Sequence, residues 1–144
     1  MFDQPLDIRL SKWLEFRRRL DKSKNPLQDV HSFWSQAPFI PYNKNIDPYN
    51  KLSWPSPWEI IEYNKYDDFT KALMISWTLK LSEKFKLTDI ELHTVVDNSR
   101  QREYNLVYVD NENVLNYSDT GPIDVEFIPG SFNLKNMVQI QSLG

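Results

Sequence analysis

The chain has 144 residues, of which 40% are hydrophobic and 14% aromatic, so one domain of this length can bury about two thirds of the surface that its unfolded form exposes. The net charge of −3 disfavours nucleic acid and anionic membranes as partners. The absence of cysteine excludes disulfides, thiolate catalysis and iron–sulfur clusters.

Residues 1–38 are predicted to form the helical N-terminal part of a single domain over residues 1–144. Apolar residues from Leu6 onwards recur at helical spacing, which indicates an amphipathic helix over about residues 7–20. Pro26 then begins a second, short helix, because proline suits the first turn of a helix.

Residues 39–56 are rich in Pro, Asn and Tyr. Prolines lack a backbone donor and favour extended conformations before them, so this segment is predicted to wrap over the domain without regular structure. Aromatic side chains in or beside the wrap are candidate anchors for a protein partner. These candidates are Tyr42, Tyr49, Trp54, Trp58 and Tyr63.

Residues 57–128 are predicted to form an α+β core. A short helix begins at Pro57, and the carboxylates of Asp67 and Asp68 are predicted to cap a longer helix that runs to about Phe85. Apolar residues occupy most of the circumference of this longer helix, which predicts a central buried helix.

The hydrophobic period changes to two after the central helix, which predicts β-strands. The predicted strands cover residues 90–95, 104–109 and 114–117, with further strands at 125–128 and 137–140. Helices followed by strands define the α+β class, here with N-terminal helices and a central helix packed on an antiparallel sheet.

The two ends of the chain differ from this core. Residues 129–144 lack a core pattern and are predicted to be a C-terminal arm that orders on a neighbouring chain. The first five residues lack a basic region followed by an apolar core, so we expect no secretory signal peptide. The longest apolar run, Ala72 to Ile75, is too short to span a bilayer.

Two segments that lead into the central helix read Trp54-Pro55-Ser56-Pro57-Trp58-Glu59 and Asn64-Lys65-Tyr66-Asp67-Asp68-Phe69. They resemble the nucleophile segment of transglutaminase-like, papain-type cysteine enzymes, in which a Trp-x-x-Pro-x-Glu turn precedes Gly-Asp-Cys-Asp-Asp-Phe-Ala. Tyr66 stands where that family has its cysteine.

Two later segments extend this resemblance. They read Asn105-Leu106-Val107-Tyr108-Val109-Asp110 and Val114-Leu115-Asn116, and they are similar to the strands that carry the histidine and the acid of the family. Asn105 and Asn116 stand at those two positions. The resemblance therefore implies a transglutaminase-like fold.

The same resemblance implies a degenerate site at Tyr66, Asn105 and Asn116, with no enzymatic activity. An asparagine cannot accept a proton near neutral pH, and a tyrosine with a pKa near 10 is a poor nucleophile without a base. We expect no cofactor and no metal, since the only two histidines, His31 and His93, lie in different predicted elements.

A second resemblance concerns stretches along the chain that are rich in aromatic residues and proline. Characteristic stretches are Phe33-Trp34-Ser35-Gln36-Ala37-Pro38, Pro41-Tyr42-Asn43 and Trp54 to Glu59. The chain is similar in this respect to small uncharacterised proteins of contractile-tailed marine bacteriophages. That resemblance implies a structural or adaptor protein of a virion neck, tail or baseplate, with other protein subunits as partners and a location in the virion or the host cytoplasm.

An alternative hypothesis is a hydrolase with a rearranged, cysteine-free active site. Its chemistry would come from Tyr66, Asp67, Asp68 or His93. An open cleft that holds His93 within hydrogen-bond reach of Asp67 or Asp68 would favour this enzyme over the adaptor.

Overall fold

The structure, a computed structural model, describes residues 1–141. The helices are α1 (Leu6–Leu20), α2 (Pro26–Trp34), α3 (Pro57–Tyr63) and α4 (Asp68–Lys80). The strands are β1 (Ile90–Asp97), β2 (Arg102–Val109), β3 (Asn113–Ser118), β4 (Gly121–Asp124) and β5 (Phe132–Gln139). The strands form one antiparallel sheet in the order β4-β3-β2-β1-β5. The predicted α+β class is confirmed.

Helix α4 is the central buried helix of the domain. The Asp67 carboxylate caps it, since its Oδ1 accepts from the Thr70 backbone nitrogen at 2.8 Å. The helix packs on β1 and β2 on one side and on α2 on another. Within it, the buried Thr78 hydroxyl oxygen accepts from the indole nitrogens of Trp13 and Trp34, both at 3.0 Å, which satisfies these two buried donors.

Helix α4 ends at Lys80 rather than at about Phe85 as predicted. The chain turns at Ser82, whose backbone nitrogen and hydroxyl both donate to the Leu79 carbonyl oxygen, at 3.0 and 2.7 Å. The next segment is held by α1, because the Lys84 backbone nitrogen donates to Asp21 Oδ1 at 2.9 Å. These contacts with a distant element end the helix earlier than its apolar pattern indicates.

The two faces of the sheet carry separate apolar clusters. The inner face, against the helices, contributes Ile90, Leu92, Val107, Val109 and Leu115. The outer face contributes Val95, Tyr104, Leu106 and Val114, with Tyr117, Ile128 and Phe132 packed against them. Successive residues of a strand point to opposite faces, and this alternation accounts for the assignment except in β3, where it is interrupted between Leu115 and Tyr117.

The prediction of a C-terminal arm is wrong for residues 132–139. These residues form β5, an edge strand that pairs antiparallel with β1 and sets Leu92 opposite Val138. The pairing shifts register between Thr94 and Val95. Residues 142–144 of the predicted arm lie outside the described residues.

The predicted strands differ from the structure in two further places. Residues 125–127 form a 3-10 turn rather than the start of a strand. The strand β4, which precedes this turn, was not predicted, since its sequence Gly-Pro-Ile-Asp contains two residues that are rare in strands.

The wrap over residues 39–56 is irregular apart from a 3-10 turn at Lys51–Ser53. It begins beside α4, where the Ile40 backbone nitrogen donates to the Tyr66 carbonyl oxygen at 3.0 Å. It also reaches β5, because Asn136 Nδ2 donates to the Pro48 carbonyl oxygen at 3.3 Å. Within residues 1–141, no helix has the length and hydrophobicity needed to cross a membrane.

Candidate functional site

The side chain of Asp68, the first residue of α4, points at the inner face of the sheet. Asp68 Oδ2 accepts from the backbone nitrogen of Asn105 at 3.2 Å and from Asn105 Nδ2 at 3.0 Å. Asp68 Oδ1 accepts from Asn116 Nδ2 at 3.2 Å. Both carboxylate oxygens are therefore held by amide donors, one set from β2 and one from β3.

The asparagines are in turn tied to each other and to β1. Asn116 Nδ2 donates to the Asn105 carbonyl oxygen at 2.8 Å, and the buried Thr94 hydroxyl donates to Asn105 Oδ1 at 3.0 Å. We call the four residues Asp68, Thr94, Asn105 and Asn116 the amide network. It joins the start of α4 to three adjacent strands.

The backbone of Asn116 explains how its side chain reaches the network. Its φ of 69° lies in the left-handed region, which asparagine tolerates better than most residues. The pairing of β3 with β4 also shifts register between Val114 and Ser118. Such an irregularity re-aims a side chain that regular alternation would direct elsewhere.

Tyr66 does not belong to this network. Its side chain is only 1% exposed and packs against the rings of Phe2 and Trp34, with centroid distances of 5.7 and 5.4 Å. The Tyr66 hydroxyl has no hydrogen-bond partner among residues 1–141, and burial raises the pKa of this phenol above its ordinary value. The structure thus brings Asn105 and Asn116 together, but with Asp68 and not with Tyr66.

Sequence reasoning treated Asp67 and Asp68 alike, as helix caps. Only Asp67 is the cap, and its second oxygen, Oδ2, accepts from the Asn43 backbone nitrogen at 3.0 Å. The role of Asp68 was missed. The one available signal was its position immediately after the capping residue, where a side chain on the first turn can face the strands that follow.

A polar cleft with a volume of about 460 Å³ adjoins the amide network, with Asp68 and Asn116 in its wall. The charged and titratable side chains that line it are His31, Lys71 and Arg102, and Asp68, Glu103 and Asp119. The cleft thus presents both signs of charge. Asp68 and Lys71, both in the first turn of α4, line it, and the Asp68 carboxylate is already hydrogen-bonded.

His93 lies away from this cleft. Its Nε2 contacts Glu91 Oε1 at 2.9 Å, and its ring stacks on Tyr108 at a centroid distance of 3.9 Å. His93 neighbours Leu92 along β1, so it faces the outer side of the sheet, whereas Asp68 faces the inner side. The structure therefore does not bring His93 within reach of Asp67 or Asp68.

No group of three or more His, Asp and Glu side chains within residues 1–141 is arranged to hold a metal ion. His31, the other histidine, contacts the Asp119 carbonyl oxygen through Nε2 at 3.0 Å. The polar chemistry of the amide network is consequently that of amides, one hydroxyl and one carboxylate.

The five candidate anchor residues occupy two kinds of environment. Tyr42, Tyr49, Trp58 and Tyr63 are exposed, Tyr42 most of all at 72%. Trp54 is half-buried: its ring packs on Phe69, and its indole nitrogen donates to the Asp47 carbonyl oxygen at 2.8 Å. Trp54 and Tyr63 line a common cavity of about 500 Å³, which Tyr42, Tyr49 and Trp58 do not line.

No protein-family model matches this chain, and no curated protein matches its sequence. Function must therefore be inferred from the geometry of the molecule itself. The features that bear on function are the amide network, the cleft beside it and the exposed aromatic side chains of residues 42–63.

Proposed function

We propose that this chain is a noncatalytic structural or adaptor subunit of a macromolecular assembly, built on a transglutaminase-like arrangement. The observation that carries the proposal is the amide network. Asn105 on β2 and Asn116 on β3 both meet the first residue of the central helix. The resemblance assigns the base and the orienting residue to Asn105 and Asn116, opposite a nucleophile at a helix N-terminus, and the network holds these two side chains against the N-terminus of α4.

The chemistry of the network supports the absence of catalysis. A thiol mechanism needs a nucleophile that can be ionised and a base that accepts its proton. Here Asp68 is a carboxylate, and the amide nitrogens of Asn105 and Asn116 donate to it instead of accepting a proton. Asp68, Asn105 and Asn116 hydrogen-bond to one another. Such a network stabilises the fold but leaves no free group to react with a substrate.

The cysteine-free hydrolase is disfavoured by the same geometry. Both Asp67 oxygens are engaged by backbone nitrogens, Tyr66 is enclosed among aromatic rings, and His93 lies on the outer face of the sheet. None of these groups shares a cleft in which a base could activate a nucleophile or a water molecule.

The adaptor role rests on the exposed aromatics around the wrap. Tyr and Trp are over-represented among the residues that dominate protein–protein binding energies. Tyr42, Tyr49, Trp58 and Tyr63 offer four such exposed side chains within residues 42–63. A tailed-phage particle, at its neck, tail or baseplate, is the assembly that the overall resemblance of the chain suggests.

The test is incorporation into the native assembly. The double variant Tyr42→Ala, Tyr49→Ala should be depleted from particles purified from the cell that produces them, by about tenfold or more. Phe127→Ala is the matched control, since Phe127 is an equally exposed aromatic at 67% but lies outside the wrap. Equal incorporation of both variants, or peptide-bond hydrolysis by the purified chain, would contradict the proposal.

A further inference from the structure

Three surface segments meet at the end of the molecule where α4 finishes. They are residues 17–25, 80–89 and 110–113, and residues 124–126 lie beside the third segment. The Lys84 backbone nitrogen ties the second segment to the first through Asp21, and the Asp110 backbone nitrogen ties the third to the second through the Asp89 carbonyl oxygen at 2.7 Å. We call this surface the loop end.

One side of the loop end is basic. The stretches 17–24 and 80–89 together hold eight Lys and Arg residues and three acids, Asp21, Glu83 and Asp89. One of the three acids, Glu83, is neutralised by an ion pair with Lys86 at 2.7 Å. Cations therefore dominate this side, in a chain whose net charge is −3.

The other side of the loop end is acidic. Its exposed carboxylates are Asp110, Glu112, Asp124 and Glu126. They lie together because the Val125 backbone nitrogen donates to the Glu112 carbonyl oxygen at 2.8 Å. No Lys or Arg occurs in residues 103–134, and none of these four carboxylates is in an ion pair within the described part of the chain.

An apolar cavity of about 480 Å³ separates the two sides. Leu27, Phe85 and Val109 contribute apolar atoms to its wall, while Lys24 lines it from the basic side and Glu112 from the acidic side. Leu87, which lies between Phe85 and Thr88 of the same wall, is 91% exposed. A leucine side chain that is almost fully in water thus lies, along the chain, between two residues that line a cavity, and an apolar group could fill this cavity.

We propose that the loop end is a two-fold interface between two copies of this chain. In a two-fold interface the same patch faces itself, so each contact occurs twice. A half-turn rotation about an axis through the cavity rim sets the basic side of each copy against the acidic side of the other. It also directs Leu87 of each copy toward the cavity of its partner.

The charge pattern selects a second copy over nucleic acid as the occupant. A duplex presents phosphates along its whole length, and the acidic side, separated from the basic side only by the cavity, would repel them. A second copy presents both signs in the matching order. Its complementary potentials lower the cost of close approach on both sides of the apolar centre.

The first experiment measures self-association of the purified chain by sedimentation equilibrium. Wild type should dimerise at low ionic strength, and 1 M NaCl should raise its dimer Kd, because the Debye length falls to about 3 Å at that concentration. Leu87→Asp should raise the dimer Kd by about a hundredfold or more, since two leucines leave the interface per dimer. Leu52→Asp is the matched control at an equally exposed leucine (96%) in the wrap and should dimerise like wild type.

The second experiment exchanges the charges. The variant Lys22→Glu, Lys24→Glu and the variant Glu112→Lys, Glu126→Lys should each dimerise about tenfold more weakly than wild type. Mixing the two variants should restore a mixed dimer, because both sides then face opposite charge again. A wild-type chain that stays monomeric, failure of the mixture to associate, or binding of a DNA duplex by monomeric wild type would overturn the proposal.

Discussion

Tyr66 and Asp68 are separated by a single residue, yet they lie in opposite environments. The Tyr66 ring is enclosed by Phe2 and Trp34, and its hydroxyl has no partner among residues 1–141. The Asp68 carboxylate accepts hydrogen bonds from both asparagines of the amide network. The surroundings of Tyr66 are apolar and leave its hydroxyl without a hydrogen bond to any of the described residues. The surroundings of Asp68 are polar and supply hydrogen bonds to both of its oxygens.

The helix start produces this difference. Tyr66 follows the left-handed Asn64 that ends α3 and pairs with Phe39 in an isolated bridge, and its side chain lies in the aromatic cluster. Asp67 then caps α4, and Asp68, as the first helical residue, faces the strands. The start of the helix therefore decides which residue faces Asn105 and Asn116. That residue is Asp68, although Tyr66 is the one that aligns with the motif.

The largest effect is expected for Asn116→Ala. The change removes the hydrogen bonds to Asp68 and Asn105, and it places alanine at a φ of 69°, which alanine tolerates less well than asparagine. We expect the free energy of unfolding to fall by about 3 kcal/mol in urea denaturation. Asn116→Gly separates the two causes, since it loses the hydrogen bonds but fits the backbone. It should be about 1 kcal/mol less destabilised than alanine. A loss below about 1 kcal/mol for alanine would contradict the importance of the network.

The two environments can also be compared directly with introduced cysteines. Asp68→Cys places a thiol at a helix N-terminus on the cleft wall, whereas Tyr66→Cys places it in the aromatic cluster. The Asp68→Cys thiol should react with iodoacetamide at least about tenfold faster in the native state. The rates should converge in urea, which serves as the control. A faster native reaction at Tyr66→Cys would reverse the comparison.

A smaller effect is expected for Tyr66→Phe, which removes only the unpartnered hydroxyl. A buried polar atom without a hydrogen bond is unfavourable, so the variant should be as stable as wild type at pH 7 or more stable by up to about 1 kcal/mol. Chemical denaturation measures the difference. A clear loss of stability would show that the hydroxyl has a partner after all.

The stability difference between Tyr66→Phe and wild type should depend on pH with a definite sign. Burial raises the pKa of Tyr66 above its ordinary value of 10.0, so above about pH 10 the unfolded chain releases a proton that the folded chain retains. Wild type should therefore lose up to about 1.4 kcal/mol per pH unit in that window, while Tyr66→Phe is spared this loss. Parallel stability curves for the two proteins between pH 10 and 11 would contradict the burial of the phenol.

The cap of α4 could be predicted from local sequence because its chemistry is local: Asp67 accepts from Thr70, three residues later. The partners of Asp68 could not, since Asn105 and Asn116 are far along the chain and reach it only once the sheet is formed. The resemblance to a cysteine enzyme pointed to both asparagines. It could not indicate that Asp68, rather than Tyr66, is the residue that they contact.

The first part of β5 was missed for a different physical reason, since the predicted strand at 137–140 covers only its end. Leu134 and Met137 lie opposite Val95 and His93 and so share the outer face, although they are three residues apart. The extra residue between them, Lys135, breaks the two-residue period from which a strand is predicted. The end of α4 could not be predicted from local sequence either. The segment after it is bound by Asp21, which is far along the chain and accepts from the Lys84 backbone nitrogen.

The most direct test of the account is the thiol pKa in the double variant Asp68→Cys, Asn105→His. If these positions correspond to nucleophile and base, the introduced imidazole should stabilise the thiolate. The pKa, measured from the pH dependence of alkylation, should then fall by about one unit or more relative to Asp68→Cys alone. The same histidine should leave the pKa of Tyr66→Cys unchanged. An equal thiol pKa in Asp68→Cys with and without Asn105→His would contradict the assignment.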